Sequence, residues 1–530
     1  MLSAPQERGN KAWGGAIAQP QGRHRGFRPA LKGRRQCFNF PAPFQGWPES
    51  AMPSLGRCPR LSSGAPAELK TLLGVVLVAL ICVAAVRAET LTVAPSSARF
   101  QSVQAAINAA QPGDTIQVQA GTYTGQITLD KPLILEGINK PVLRGTGTGS
   151  VVIVTAAGCT LRGFIIEHCG GNLQDEDSGL LLRSNDNLIE DNELRDILYG
   201  IYLYHAQHNT IRRNVVTGRR QLESGARGAG LHLWNSAANL IEDNTITEAR
   251  DGMYIQTSSG NTIRRNRVSN LRYGLHYMNS DDNRFEDNIF SNNVAGAAIM
   301  YSRRIELRRN AFTHNRGFSS FGILFQDCDD IRAEDNYIIN NATGIFMEAL
   351  RQSAFRRNVI AENDVALQIF SSSAQNIFTE NNFIENLSPL SLVGRNTTTQ
   401  WQENGRGNYW SDYDGYDLDG DGVGDVAHKV QNVFEYLEGN FPRLRLYLSS
   451  AAAQSLATAE KTFPIIKGSA ETDTAPLARA VAMNVTLDQV RPQRRTQVLL
   501  GFMSTLMLMA GLAAIWTGQR RSRVSAPLTK

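Results

Sequence analysis

The sequence predicts an all-β fold, a right-handed parallel β-helix with coils of ~22 residues, and three regularities carry that reading. Between residues 187 and 381 an apolar residue recurs three places before an Asn: Ile189 to Asn192, Ile211 to Asn214, Ile241 to Asn244 and Ile263 to Asn266, then on through Asn288, Asn310, Asn336, Asn358 and Asn381. The Asn spacings are 22, 30, 22, 22, 22, 26, 22 and 23 residues, one dominant period with occasional insertions. Half a period later a Gly opens an alternating apolar segment: Gly200-Ile201-Tyr202-Leu203, Gly230-Leu231-His232-Leu233, Gly252-Met253-Tyr254-Ile255 and Gly274-Leu275-His276-Tyr277, continuing through Gly296, Gly322 and Gly344. Period-two alternation is that of a half-buried strand. The third regularity is compositional, 46 Gly and abundant Asn with few long apolar runs, which suits a turn-rich β protein.

The elements follow in chain order. Residues 1–51 are rich in Pro, Gly and Arg without periodicity and read as an unstructured or untranslated extension, with Met52 the more conventional start. Residues 52–88 read as a secretory signal: an apolar core at 73–86 follows Arg57, Arg60 and Lys70 and ends in Val86-Arg87-Ala88, with cleavage expected after Ala88. Ile81 before Cys82 is too bulky for a lipoprotein site. The β-helix spans 89–400, opened by a cap helix over 100–110 that covers the first coil's unpaired edge and stops at Gln111-Pro112-Gly113. About twelve coils of ~4.8 Å rise give a rod roughly 55–60 Å long. An Asp/Gly-rich capping loop occupies 401–440, and a helical docking segment with its linker 441–497. Residues 498–517 lack any charge and lie between Arg491, Arg494 and Arg495 and Arg520, Arg521 and Arg523, the pattern of one C-terminal transmembrane helix, leaving 518–530 as a short cytoplasmic tail. The signal places the coils outside the membrane.

The Asn ladder reads as structure, because Asn tolerates the left-handed turn conformation and its amide reaches the Asn one coil away. Glycine serves where a β-carbon would clash. Past the signal three cysteines remain, Cys159, Cys169 and Cys328, so at most one internal disulfide forms; Cys159–Cys169 and single buried thiols are both compatible with the spacing. A net charge of +5 over 530 residues is too small to imply a nucleic-acid partner, and none is expected.

The outward positions of each repeat, second and fourth after its Gly, are Tyr202 and Tyr204, His232 and Trp234, Tyr254 and Gln256, His276 and Met278, Ala298 and Met300. Aromatic, His and Met side chains thus line one outer face over five adjacent coils, where polar residues are expected. Met278 and Met300 stand one coil apart and His276 two places along the strand, about 7 Å away. Thioether with imidazole is a soft set suited to transient copper as Cu(I), with His232, His276, Met278 and Met300 as candidates. A docking patch formed by Tyr202, Tyr204, Trp234 and Tyr254 is the other reading of the same stripe. His205 and His208 lie just beyond it. After the coils, Asp417, Asp419, Asp421, Val423 and Asp425, with Gly422 at the sixth place, match the first nine places of a calcium loop, but His428 stands where the bidentate Glu belongs. Asp327, Asp329 and Asp330 form no acid–base pair on the outward positions Leu324 and Gln326, and read as a solvated turn. No catalytic residue is assigned.

The Asn ladder, the cap helix, the block GNYWSDYDGYDLDGDGVGD, the following FPRLRLYLSSAAAQSLATAEKTFPI and DTAPLARAV together resemble the NosD family, over roughly residues 89–490. The coils alone are pectin-lyase-like and shared by many carbohydrate-acting proteins. The resemblance implies a periplasmic accessory factor in nitrous oxide reductase maturation, assisting assembly of the copper-sulfur centre of that client with ABC transporter subunits and a copper chaperone. It also implies that residues 444–463 dock onto the transporter; the apolar segment 498–517 is no part of the resemblance and reads as an added membrane tether. Two other classes share the fold: a polysaccharide lyase or epimerase, which needs a charged groove, and a calcium-stiffened surface-binding protein.

Overall fold

Strands that alternate inward apolar and outward polar residues become a solenoid when each backbone edge pairs with the coil before and after it. The computed structural model has this architecture, and describes residues 88–483 except 97, 318, 395–396, 432–436, 438–440, 448–449 and 463–470. The expected extension, signal, transmembrane helix and tail lie outside the described residues. Among the described residues no helix is long and apolar enough to cross a membrane.

Each full coil supplies three short strands, and all pairings between coils are parallel, wound right-handed. One face is a 13-stranded sheet from Thr122–Thr124 to Tyr409–Trp410. Two further faces join into a 24-stranded sheet through Phe321–Glu334, which turns a corner without interruption. The last strand of the coils thus ends ten residues past the expected boundary at 400. Inward positions stack like on like: Ile189, Ile211, Ile241, Ile263, Phe285 and Leu307 form one column. Phe355 on Phe378 and Phe383 on Trp410 continue the core as parallel ring pairs 4.4 and 4.1 Å apart.

The corner between two faces is built from amides. Asn288 Oδ1 accepts both the backbone N–H and the Nδ2 of Asn266, each at 3.0 Å, while its own Nδ2 donates to Ile263 O and Asn310 Oδ1. The same pattern runs from Asn192 to Asn408. Shorter ladders occupy the other corners, Asn187 to Asn283 and Asn293 to Asn386, with a Ser ladder from Ser236 to Ser302.

One expectation is corrected here. The left-handed residue of the main corner is not the Asn but the one before it: Asp191, Arg213, Asp243, Arg265, Asp287, Arg309, Asp335, Arg357 and Glu380 all have φ between 51° and 57°. Each such conformation costs ~1 kcal/mol for a residue with a β-carbon. The reason for tolerating it is that the turn aims the following Asn inward. The charges alternate coil by coil, so each Arg grips the acid one coil back. Arg213 binds Asp191 through two bonds of 2.8 Å, and Arg265 binds Asp243 through two of 2.9 Å. A neighbouring column adds Glu190 with Arg212 and Glu242 with Arg264. The repeat glycines answer a different need, close approach: a β-carbon on Gly274 would lie 2.6 Å from the carbonyl oxygen of Gly296.

At the N-terminal end α1 (Val103–Ala109) covers the first coil, burying Val103, Ala106 and Ile107, with Ser102 as its N-cap. It is shorter than expected because Phe100 instead bridges to Val93. At the other end the chain leaves after His428–Lys429, forms a 3-10 turn at Pro442–Tyr447 and α2 (Ala451–Thr462), and returns as Thr472–Asp473, antiparallel to the strand it left. Buried Asp473 fastens this return, accepting from Asn408 N, Trp410 Nε1 and Ala475 N. Glu471 accepts from Trp401 Nε1.

Cys159, Cys169 and Cys328 are separate, buried free thiols, not a bridge. Burial raises all three, Cys169 to about 11 and Cys328 to about 12. All three should therefore resist alkylation at pH 8 in the native protein and react on unfolding, as peptide mapping by mass spectrometry will check. Asn288→Ala removes the acceptor of the buried Asn266 backbone N–H and the amide that donates to Ile263 O, and should lower unfolding free energy by about 1–3 kcal/mol in a denaturant titration. Arg265→Glu sets a carboxylate among Glu242, Asp243, Glu286 and Asp287; its destabilisation should shrink as salt rises.

Candidate functional site

The outer stripe forms in the register expected. Tyr202 pairs with His232, His232 with Tyr254, Tyr254 with His276 and His276 with Ala298, while Trp234, Gln256, Met278 and Met300 follow one another in the adjacent column. Parallel pairing at every rung puts like positions at strand spacing, so the rings stack: Tyr202 on His232 at 4.5 Å, His232 on Tyr254 at 4.8 Å, and Tyr254 on His276 at 4.6 Å.

Exposure divides the stripe in two, which the sequence reading did not anticipate. Tyr202 and His232 are buried, 5% and 1% exposed. The excursion at 170–177 brings Glu176 to 3.6 Å from His232 Nδ1, and Arg219 ties the base of that excursion through the carbonyls of Cys169 and Gly170. Burial pushes the His232 imidazole down to about 3, so it is neutral and forms no ion pair with Glu176. Neither of its ring nitrogens has a hydrogen-bond partner. His232 is therefore a stacked wall element and not an open ligand. Tyr204 and Trp234 do reach solvent, and Tyr254 is half-buried between two imidazoles. His205 holds a left-handed turn beside Asn235, whose Nδ2 meets its Nδ1 at 2.7 Å.

The other half is open. His276, Met278 and Met300 are each partly exposed, and the Tyr254 hydroxyl points to Met278 Sδ at 4.0 Å while its ring stacks on His276. Beneath them sits a residue that the outward-position count skipped. Asp251, fully buried, precedes the repeat Gly252 and accepts from Arg272 Nε and Nη2 at 2.9 and 2.7 Å. Its Oδ2 also lies 3.3 Å from His276 Nδ1. Burial opposes its ionisation, but His276 and Arg272 outweigh that and hold Asp251 at about 2. A signal for it existed: the residue before the repeat Gly is Tyr199, Ala229, Tyr273, Ala295 or Phe321 in neighbouring coils, and acidic only here. Past Met300 its own column continues as Gln326 and Glu348, while phenylalanines gather beside it, Phe321 against Phe346 at 4.9 Å and Phe346 against Phe370 at 5.1 Å.

The two acidic groups behave differently. Asp417, Asp419 and Asp421 gather, offering ligand atoms within 4.8 Å of one another. Their carboxylates already accept amides of the loop itself, Gly420, Gly422, Asp421 and Val423, and Asp425 accepts from Leu418 N. Val423 is also bridged to Leu477. His428, at the twelfth place, is buried with its ring stacked on Trp410 at 5.0 Å, so no side chain closes the loop from there. Asp327 and Asp329 are both paired with Arg351, and Asp330 with Arg332, in keeping with a charged turn.

Residues 217–415 match the family model described as periplasmic copper-binding protein (NosD), and residues 91–308 match a family described as a protein of unknown function. A protein of Pseudomonas aeruginosa named as a probable ABC transporter binding protein NosD is 34% identical over 376 residues, 68% of this chain and 88% of that protein. One of Stutzerimonas stutzeri with the same name is 31% identical over 71% of this chain and 89% of its own length. Among solved structures, an exopolygalacturonase of Yersinia enterocolitica aligns at a TM-score of 0.49 and 11% identity, covering 59% of this chain and 78% of its own. The A-module of the mannuronan C-5 epimerase AlgE4 of Azotobacter vinelandii aligns at 0.44 and 17% identity, over 56% and 94%. Likeness at that level carries no argument about activity. With a relative this similar spanned almost end to end, the chain belongs to the NosD family.

Proposed function

We propose that this chain is a periplasmic, non-catalytic accessory protein that handles Cu(I) during maturation of the copper-sulfur centre of nitrous oxide reductase, alongside an ABC transporter and a copper chaperone. The observation that carries the reading is the open, in-register edge of His276, Met278 and Met300 on a chain of this family. Imidazole and thioether donors fit a soft monovalent cation and offer little to Ca²⁺ or Mg²⁺. The family model's description, copper-binding and periplasmic, and the relatives' description as transporter-binding support the same assignment. The excursion containing α2, whose two ends pair with each other and whose return is tied through Asp473 to Asn408 and Trp410, supports a transporter-docking role for residues 444–463. Residues 498–517 would hold the rod at the membrane.

The stripe, with its stacked rings and thioethers, gives a polysaccharide-cleaving role little support, and in the charged hollow lined by Asp282, Arg284, Arg304, Glu306, Asp330 and Arg332 each acid is paired with an arginine. The purified chain should bind Cu(I) in competition with a chromophoric chelator. Changing His276, Met278 and Met300 together to Ala should weaken that binding by at least tenfold while the β-rich circular dichroism is retained. Binding equal in the triple variant would reject this edge as the copper station. No unsaturated product should accumulate with alginate or pectate; ultraviolet absorbance would reveal one.

A further inference from the structure

We infer that Asp251 is the positioning residue of a soft-metal station formed by His276, Met278 and Met300, holding the His276 ring so that Nε2 is the ligating atom; this rests on the copper reading above.

A carboxylate only accepts, so the 3.3 Å contact between Asp251 Oδ2 and His276 Nδ1 places a proton on Nδ1, and in the neutral ring the lone pair is then on Nε2. Carboxylate behind imidazole is the arrangement that orients metal-ligating histidines and raises their basicity. The ring plane is fixed as well, by Tyr254 stacked at 4.6 Å on one side and Tyr273 edge-on at 5.2 Å. Asp251 is itself immobile, clamped by Arg272, whose guanidinium lies 4.5 Å over the Tyr273 ring, and approached by Arg250 at 3.3 Å. Met278 faces the same way as His276 two places along one strand, and Met300 is the Cα partner of Met278 one coil on. The chemistry predicted for the cargo is therefore that of Cu(I) or Ag(I), with two thioethers and one neutral imidazole and no anionic donor in direct contact. His232 supplies the internal contrast. It occupies the same register position two coils earlier, but its Nδ1 has no partner at hydrogen-bond distance and its exposure is 1%, so the proposal assigns it no ligand role.

The test uses the full chain and two readouts. In the metal-free protein, ¹⁵N–¹H correlation of the imidazoles, with the His276→Gln variant identifying one of the eight histidines, should report the Nδ1–H tautomer for His276. Titration with Cu(I), and with Ag(I) as a redox-inert probe, should give an affinity that falls about 10–100-fold in Asp251→Asn, with melting temperature and circular dichroism retained. His232→Ala should leave the affinity unchanged. An Nε2–H tautomer in the wild-type chain, a reading that needs no variant to fold, overturns the positioning role even if copper binds. Affinity unaltered in Asp251→Asn but lost in His276→Gln overturns it too. Failure of both metals to bind the wild-type chain overturns the station and the copper reading together.

Discussion

The corner amide is the interaction on which the rest of this molecule depends. A parallel solenoid must turn its chain three times per coil without leaving buried backbone groups unpaired, and an Asn solves the problem by continuing the stack through its side chain. Asn288 takes two donors from the coil before it and gives to two acceptors, which leaves no unmet hydrogen-bonding group at a position with no solvent access. The preceding residue absorbs the conformational strain, in the left-handed region, and its exposed charge pairs with the opposite charge one coil away. Each exposed pair contributes ~0.5 kcal/mol at most, yet the alternation opposes slippage by one coil, since a shift of one rung would set Arg on Arg and Asp on Asp.

Fixed corners make the outer faces a ruled surface. Once every rung is in register, a position two residues after the repeat Gly returns at the same place on the next coil, and ring stacking follows with no further design. The same rigidity lets Asp251, buried in one coil, meet His276 in the next at hydrogen-bond distance. A surface of isolated loops would need its own supports to hold an imidazole, a carboxylate and two thioethers in fixed relation; here the backbone ladder does so as a by-product of folding.

Much of this was legible before any coordinates. Period, strand alternation, the cap helix and the register of the stripe follow from spacing alone, because a solenoid converts sequence period directly into distance. What spacing could not convey is what an insertion covers. The longer coils that carry residues 170–177 bury Tyr202 and His232, and nothing in a count of outward positions distinguishes a covered rung from an open one. Asp251 escaped because it lies one residue before the Gly from which outward positions were counted. Its acid among apolar neighbours at that register position was the available clue. The alternation of Glu-Asp-Asn with Arg-Arg-Asn was equally plain in the sequence and carried the ion-pair columns, which become meaningful only when residues 22 apart are known to touch. The Asp-rich loop was legible in part: the motif gathers three carboxylates as the spacing predicts, while the buried ring of His428 makes its twelfth place part of the cap.

Under the copper reading, the fate of the cysteines gives the stripe its sense. A thiolate binds Cu(I) far more tightly than thioethers do, and a protein meant to pass the ion on gains nothing from a donor that retains it. All three described thiols are buried in the core with their ionisation suppressed, Cys328 up to about 12, so none can compete for a metal arriving at the surface. The open half of the stripe is left with donors of lower affinity, thioethers and one imidazole, whose strength is adjustable through Asp251. A station built that way exchanges its ion readily with any partner that presents a better-matched ligand set, and the apolar ledge from Phe321 to Phe370 beside it is the kind of surface on which such a partner would exclude water during the exchange.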